Sequence, residues 1–406
     1  MDKFVKIAII ILLGLSSCGK CKDRGYARRD MASLQERSDS LENDITLKAL
    51  ATADSILAGM TVEEMIGQCF MPALFSSSDS HTLDRLRSYI LDLHMGGIVL
   101  LRGDLRSAAQ MAELSKISPV PLFISIDAEW GLGMRFTDAP DFPKNGYIRK
   151  DVSEDLMYDY GREVARECKR TGINMVLGPV VDVVDNNWSL IGSRSFGNDP
   201  VRVANLGTSY AKGMESGGVV SVAKHFPGHG SPSGDSHRTL PVISKSLHGL
   251  DSIDLYPFKR YVDSGLSGVM IGHLAVPAID PEGRPAAVSP PVIKELLREE
   301  LGFNGLVLTD AFTMGGVAGY RGADALKAGA DIVVAPYDTY GEIREIVDIV
   351  KKGEIPLAEL KDKCRRILFY KALFYLDNND KINLEGLEEA VKGESDTLNF
   401  KLRYKD

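Results

Sequence analysis

Eight short apolar runs, separated by segments with helical patterns, constrain the fold of this chain more than any other sequence feature. They are rich in Val and Ile without polar alternation, which is typical of parallel strands buried on both faces. The runs are residues 69–74, 97–101, 121–126, 176–183, 219–224, 268–272, 305–309 and 331–335. Eight such units predict an α/β fold, a single (β/α)8 TIM barrel that occupies residues 46–375.

Helix signals lie between these runs. Thr61 and Glu64 have the spacing of a capping box, and Ser289 before two prolines indicates a second helix start. Residues 357–375 are predicted to form a closing helix, and residues 376–406 a polar, loosely attached tail. An open doubly wound sheet is the alternative, but no G-x-G-x-x-G opens a helix after the first strands.

The N-terminus has the pattern of a secretory signal. Two lysines precede an uncharged run over residues 7–17, which is too short to cross a bilayer that requires about 20 apolar residues. Leu15-Ser16-Ser17-Cys18 resembles the bacterial lipoprotein box, which implies cleavage after residues 1–17 and lipid attachment to Cys18. An ordinary signal peptide cleaved nearby is the alternative interpretation.

A lipid on Cys18 would anchor the chain to a membrane. Residues 18–45 are rich in charge and poor in apolar side chains, which indicates a tether between the lipid and the folded body. We therefore expect a location in the cell envelope, in the periplasm or at the cell surface.

Charge and cysteine content exclude other classes of protein. The formal net charge is −8 and no block of Lys and Arg is present, so nucleic acid is not expected as a partner and a small or neutral ligand fits better. Cys69, Cys168 and Cys364 are widely spaced in apolar contexts, which favours buried free thiols over a zinc ribbon or a disulfide scaffold.

Polar side chains follow the predicted strands, at the end of a barrel where chemistry takes place. They are Asp127 with Glu129 and Arg135, Asp182 with Arg194, Lys224 with His225, His273, and Asp310. Asp310 directly follows an apolar strand. By position alone, it is either a functional carboxylate or the N-cap of the next helix.

Asp235-Ser236-His237 places a carboxylate two residues from an imidazole, so that the carboxylate could hold the tautomer of an acid/base group. A zinc site is an alternative, because several histidines and one carboxylate lie near the predicted site. These residues are His225, His229, His237, His273 and Asp235. Pro227 and Gly228 interrupt the His-x3-His spacing, so this element is not a helical zinc pair, and we expect neither a metal nor a cofactor.

A longer motif indicates a family. Ala223-Lys224-His225-Phe226-Pro227-Gly228-His229-Gly230, followed by Asp235-Ser236-His237, resembles the signature of bacterial β-N-acetylglucosaminidases of glycoside hydrolase family 3. Further matches lie in family order. They are Ile126-Asp127-Ala128-Glu129 with Arg135, Ile191-Gly192-Ser193-Arg194-Ser195-Phe196-Gly197, Glu299-Glu300-Leu301-Gly302-Phe303, Leu308-Thr309-Asp310 and Ala328-Gly329-Ala330-Asp331.

The resemblance implies a role for each matching residue. Asp310 matches the catalytic nucleophile, and His237 matches the acid/base, assisted by Asp235. Residues implied to hold N-acetylglucosamine in the −1 subsite are Asp127, Arg135, Arg194, Lys224 and His225. The family mechanism is retaining and uses no metal.

We therefore expect an exo-β-N-acetylglucosaminidase that acts on a small carbohydrate, the terminal N-acetylglucosamine of muropeptides. The alternatives are a family 3 β-glucosidase or β-xylosidase, a phosphorylase, a non-catalytic muropeptide-binding lipoprotein and a zinc hydrolase. In the β-glucosidases the acid/base generally comes from an additional C-terminal domain, for which too few residues follow the predicted barrel.

Overall fold

Short parallel strands form the centre of the molecule, a computed structural model that describes residues 43–184, 191–230, 240–375, 382–393 and 395–404. The strands are β1 (Phe70–Met71), β2 (Ala73–Leu74), β3 (Gly97–Leu100), β4 (Phe123–Ile126), β5 (Met175–Val176), β6 (Val220–Phe226), β7 (Gly268–Ile271), β8 (Leu306–Thr309) and β9 (Val333–Val334). Strands β2 to β8 form a seven-stranded sheet in chain order, and β1 pairs with β9. Each strand pair is parallel.

Backbone hydrogen bonds link the two sheets. Pro72, which has no N–H, separates β1 from β2 within one predicted run, and its carbonyl accepts from Val99 N at 2.9 Å. Thr309 N donates to the Ile332 carbonyl at 3.0 Å, and Ala335 N donates to the Met71 carbonyl at 2.9 Å. A curled parallel sheet results, and the predicted α/β class is confirmed.

The fourth predicted strand is shorter than expected. Residues 176–183 were predicted to form one strand, but β5 ends at Val176. Pro179 cannot donate to a neighbouring strand, so regular pairing stops. It resumes as an isolated bridge between Val180 and Lys224.

Most connections between successive strands contain helices. The α-helices are α1 (43–58), α2 (Val62–Gln68), α3 (Ser80–Leu91), α4 (Leu105–Ser115), α5 (Glu154–Arg170), α6 (Pro200–Ser216), α7 (Leu247–Gly249), α8 (Tyr256–Asp263), α9 (Gly322–Ala328), α10 (Thr339–Lys351), α11 (Leu357–Phe374), α12 (Leu387–Lys392) and α13 (Ser395–Arg403). Two π-helical segments are Leu250–Asp254 and Pro291–Glu300. The 3₁₀ turns are Leu132–Met134, Asn145–Tyr147, Gly192–Arg194, Ala286–Val288 and Gly315–Val317.

Local sequence signals explain several helix starts. The predicted capping box is confirmed, because Glu64 N donates to Thr61 Oγ1 at 3.2 Å and Thr61 N donates to Glu64 Oε2 at 2.7 Å. Ser289 Oγ accepts from Val292 N at the start of the second π-helical segment.

Cys69, Cys168 and Cys364 are buried free thiols, as predicted. In the described part of the chain, no helix combines the length and the apolar character that a membrane span requires.

The N-terminal leader lies outside the described residues. This applies to residues 1–17, Cys18 and most of the predicted tether, although α1 already includes residues 43–45 of that tether. Helix α1 is held to the body by an ion pair, with Arg365 Nη2 at 2.9 Å from Asp54 Oδ2.

The C-terminal segment is not loosely attached, which corrects that prediction for helices α12 and α13. Val391 and Leu402 are fully buried. Arg166 Nη2 donates to the Val391 carbonyl at 2.6 Å, and Arg149 N donates to the Leu402 carbonyl at 3.0 Å. The reason is a sparse apolar repeat, Leu387 to Val391 and Leu398 to Leu402, whose i, i+4 spacing gives each short helix one burying face within a polar sequence.

A proton is held where this segment meets α5. Ser395 Oγ lies 2.9 Å from Glu167 Oε1 and 2.8 Å from Glu163 Oε1. Burial raises the pKa of Glu167 to about 8. A protonated Glu167 can donate to Ser395, and Ser395 can then donate to Glu163, so each hydroxyl proton has an acceptor.

This proton makes stability depend on pH. Between the ordinary pKa of 4.5 and the raised value of about 8, the folded chain keeps a proton that the unfolded chain has released. Stability therefore falls as pH rises through this window. In Glu167→Gln, whose amide stays neutral, thermal denaturation from pH 5 to pH 9 should show a gain over wild type that grows with pH, on the order of a few kcal/mol at pH 8.

Glu388→Gln is the matched control, because Glu388 is exposed on α12. This variant should keep the wild-type dependence of the melting temperature on pH. Parallel pH profiles for wild type and Glu167→Gln would contradict the assignment of the bound proton to Glu167.

Candidate active site

A buried ammonium group lies at the carboxyl ends of β4 and β6. Lys224 Nζ is 2.6 Å from Asp127 Oδ1 and 2.8 Å from Glu129 Oε1. Burial lowers the pKa of Lys224, but the two carboxylates outweigh it and hold that pKa above the ordinary value. Lys224 is therefore a fixed cation between two anions.

Two arginines complete this network. Arg194, on the 3₁₀ turn Gly192–Arg194, binds Glu129 in a bidentate manner, with Nη2 to Oε1 at 2.6 Å and Nε to Oε2 at 2.8 Å. Arg135 Nη2 donates to Asp127 Oδ2. Four of the predicted binding residues, Asp127, Arg135, Arg194 and Lys224, are thus in one cluster.

Charge pairing keeps both carboxylates ionised. Burial raises the pKa of Asp127, but Lys224 and Arg135 outweigh it and hold that pKa well below the ordinary value. Burial also raises the pKa of Glu129, but Lys224 and Arg194 lower it by more than burial raises it. The cluster presents rigid charged donors and acceptors, which suit a ligand with several hydroxyl groups.

The fifth predicted binding residue, His225, is oriented by Asp182. His225 Nδ1 lies 2.7 Å from Asp182 Oδ2, and His225 N donates to Asp182 Oδ1 at 3.1 Å. Asp182 Oδ1 also accepts from His229 N at 2.7 Å. With Nδ1 donating to the carboxylate, Nε2 is the acceptor nitrogen of the ring, and Arg194 Nη2 lies 3.5 Å from it.

Close packing fixes the segment after β6. An added Cβ on Gly230 would lie 1.5 Å from the Val183 carbonyl oxygen, so this position requires a glycine. Gly228 has a φ of +126°, a backbone conformation that favours glycine. The glycines of the motif therefore allow the backbone to approach residues 182–184 and to donate to Asp182.

Asp310 lies directly after β8. Its N–H donates to the Ile271 carbonyl at 2.9 Å, and its Oδ1 accepts from Ala311 N at 2.8 Å. Burial raises the pKa of Asp310, but His225, His273 and Lys224 together hold it below the ordinary value, so the group is a carboxylate. The N-cap interpretation is wrong, because the next helical turn begins only at Gly315, after Met314.

Sequence reasoning left two carboxylates out of the predicted binding set. Glu129 pairs with Arg194 and Lys224, and Asp182 orients His225. Asp182 lies at the end of the predicted strand 176–183 and Glu129 lies in the Asp-x-Glu element after another strand, so position was the available signal. Asp235 and His237 lie in residues 231–239, outside the described residues, and their assignment stays a prediction.

Comparisons with known proteins show the family of this chain. A family model described as the glycosyl hydrolase family 3 N terminal domain matches residues 61–369. A protein from Nitrosomonas eutropha named beta-hexosaminidase is 36% identical over 256 residues, which cover 59% of this chain and 73% of the relative. One from Neisseria meningitidis serogroup C with the same name is 36% identical over 275 residues, covering 63% and 76%.

A solved structure of a family 3 beta-N-acetylglucosaminidase from Paenibacillus sp. superposes with a TM-score of 0.72 at 29% identity, over 85% of this chain and 69% of that chain. The family model alone covers well over half of the sequence. The prediction of a glycoside hydrolase is confirmed, and the chain belongs to glycosyl hydrolase family 3.

Proposed function

We propose that this protein is a retaining exo-β-N-acetylglucosaminidase that removes terminal N-acetylglucosamine from peptidoglycan fragments. The observation that carries the proposal is the ionised Asp310 carboxylate beside the network of Asp127, Lys224 and Arg194. The names of the similar proteins, beta-hexosaminidase and beta-N-acetylglucosaminidase, support the choice of sugar.

We also propose that β1 and β2 act as one strand, so that eight strands close into a single barrel. In support, hydrogen bonds run from β8 to β9 and from β9 to β1, as well as through β2 to β8. In such a barrel all the carboxyl ends of the strands meet at one mouth.

The charged cluster is assigned to binding the sugar. Lys224 and Arg194 can donate to sugar oxygens, and Asp127 and His225 Nε2 can accept from hydroxyl groups. Arg135 holds the Asp127 carboxylate in place. Because the groups pair with one another before substrate arrives, little side-chain entropy remains to be lost on binding.

The chemistry is a double displacement. Asp310 attacks the anomeric carbon while the protonated His237 transfers its proton to the departing glycosidic oxygen, which breaks the C–O bond and leaves a glycosyl-enzyme ester and a neutral imidazole. His237 then takes a proton from water, and the resulting nucleophile attacks the same carbon and releases Asp310. A histidine carries no negative charge in either protonation state, so it avoids the like-charge repulsion that a second carboxylate would have with Asp310.

A site in the cell envelope is part of the proposal. The lipoprotein-like sequence at Cys18 would place the enzyme on a membrane, followed by a charged tether. That position agrees with a substrate derived from the cell wall, and it is the reason for preferring muropeptides among N-acetylglucosaminides.

Replacing the nucleophile should abolish turnover. In Asp310→Asn, hydrolysis of an aryl β-N-acetylglucosaminide should fall at least about a thousand-fold, because no covalent intermediate can form. In wild type, a 5-fluoro N-acetylglucosaminyl fluoride should leave a sugar on the Asp310 peptide, detectable by mass spectrometry. Asp348→Asn, at an exposed position on α10, should behave as wild type. An adduct on a different peptide would contradict the assignment.

The loss of rate on replacing the acid/base should depend on the leaving group of the substrate. His237→Ala should slow cleavage of a disaccharide by about 10² to 10⁴-fold, because its leaving oxygen needs a proton. The glycosyl fluoride needs little protonation and should react much faster than the disaccharide in this variant. His248→Ala is the matched control, because His248 is exposed on α7. Equal losses on both substrates would argue that His237 is not the acid.

The lipid anchor is tested by a cysteine pair. Cys18→Ser should move the protein from the membrane fraction to the soluble fraction and remove the lipid mass from the N-terminal peptide. Cys21→Ser, three residues away, should leave both unchanged. A lipid mass that persists on the N-terminal peptide of the Cys18→Ser protein would refute attachment at Cys18.

A further inference from the structure

His273 lies beside the nucleophile without belonging to the sugar-binding cluster. It follows β7, the strand adjacent to β8, and its side chain is fully buried. Its ring packs edge-on against Phe312, with ring centroids 5.7 Å apart. The histidine therefore contacts the two residues that follow Asp310 in the chain.

One ring nitrogen carries the contact. His273 Nε2 lies 3.0 Å from the Ala311 carbonyl oxygen, and because a carbonyl can only accept, Nε2 is the protonated nitrogen. Nδ1 has no hydrogen-bond partner among the described residues. Burial lowers the pKa of His273 by more than Asp310 and the Ala311 carbonyl raise it.

The segment that carries the nucleophile lies beyond the last residue of β8, but it still bonds to both neighbouring strands. Asp310 N still donates to β7, and Phe312 N donates to the Val334 carbonyl at 3.0 Å. Between them, Ala311 N donates to Asp310 Oδ1 at 2.8 Å. The Ala311 carbonyl accepts from Met314 N at 3.0 Å and from His273, so the imidazole fixes the residue whose N–H orients the carboxylate.

We propose that His273 is a positioning residue, which holds Ala311 so that the Asp310 carboxylate points at the anomeric carbon. This inference rests on the role proposed for Asp310. A misplacement of about 1 Å in a reacting group can slow a reaction by about a hundred-fold.

Two substitutions in the full-length protein separate positioning from packing. His273→Gln keeps an N–H donor at the end of the side chain, whereas His273→Met has similar bulk and no donor. In His273→Met, the rate at which the 5-fluoro sugar accumulates on Asp310 should fall about 10 to 100-fold. The dissociation constant for N-acetylglucosamine should stay within about two-fold, because the cluster that binds the sugar is untouched. His273→Gln should recover most of the labelling rate.

The outcomes are distinct. Labelling of His273→Met at the wild-type rate, an equal loss in both variants, or a parallel loss of sugar affinity would overturn the positioning role. If wild type is labelled at another residue, the proposed role of Asp310 fails instead. Nitrogen NMR of ¹⁵N-histidine protein supplies a test without variants: Nε2 should be protonated and Nδ1 bare, and the opposite tautomer would overturn the inference even if His273→Met does not fold.

Discussion

The site depends on one buried ammonium group, Lys224, which lies between Asp127 and Glu129. Removing three charges from water is expensive unless each one is paired, so the cluster is stable only when its members are present together. Arg135 and Arg194 add a cation to each carboxylate. Removing Lys224 would leave each of the two carboxylates with a single arginine. The same pairing that stabilises the cluster also makes it rigid, as a binding site requires.

Parallel strands make this arrangement possible. Asp127 follows β4, Lys224 lies near the end of β6, and Asp310 follows β8, so residues far apart in sequence meet at one end of the sheet. The long side chain of Lys224 reaches from β6 past β5 to Asp127. Nearby groups also set the charge of the nucleophile. His225, His273 and Lys224 oppose the effect of burial on the pKa of Asp310 and keep it ionised.

Local physics explains which features were predictable. Apolar runs predicted the strands, and the capping box at Thr61 was confirmed, because both depend on residues within a few positions of each other. The prediction of a loosely attached tail was wrong, because it followed the overall polarity of the segment and not the few apolar positions that pack against α5. The strand predicted to reach residue 183 stopped at Val176, because Pro179 removes a donor.

The amino-acid sequence alone predicts the parallel α/β class, the family motifs and the placement of Asp127, Glu129 and Asp310 after strands. The partners of the site residues become visible only in the folded chain, where Glu129 joins Lys224 to Arg194, Asp182 orients His225, and His273 donates to the Ala311 carbonyl. The physical reason is the separation along the chain of the groups that interact. Strand formation follows from neighbouring side chains, whereas ionisation and orientation depend on groups brought within about 3 Å by the fold.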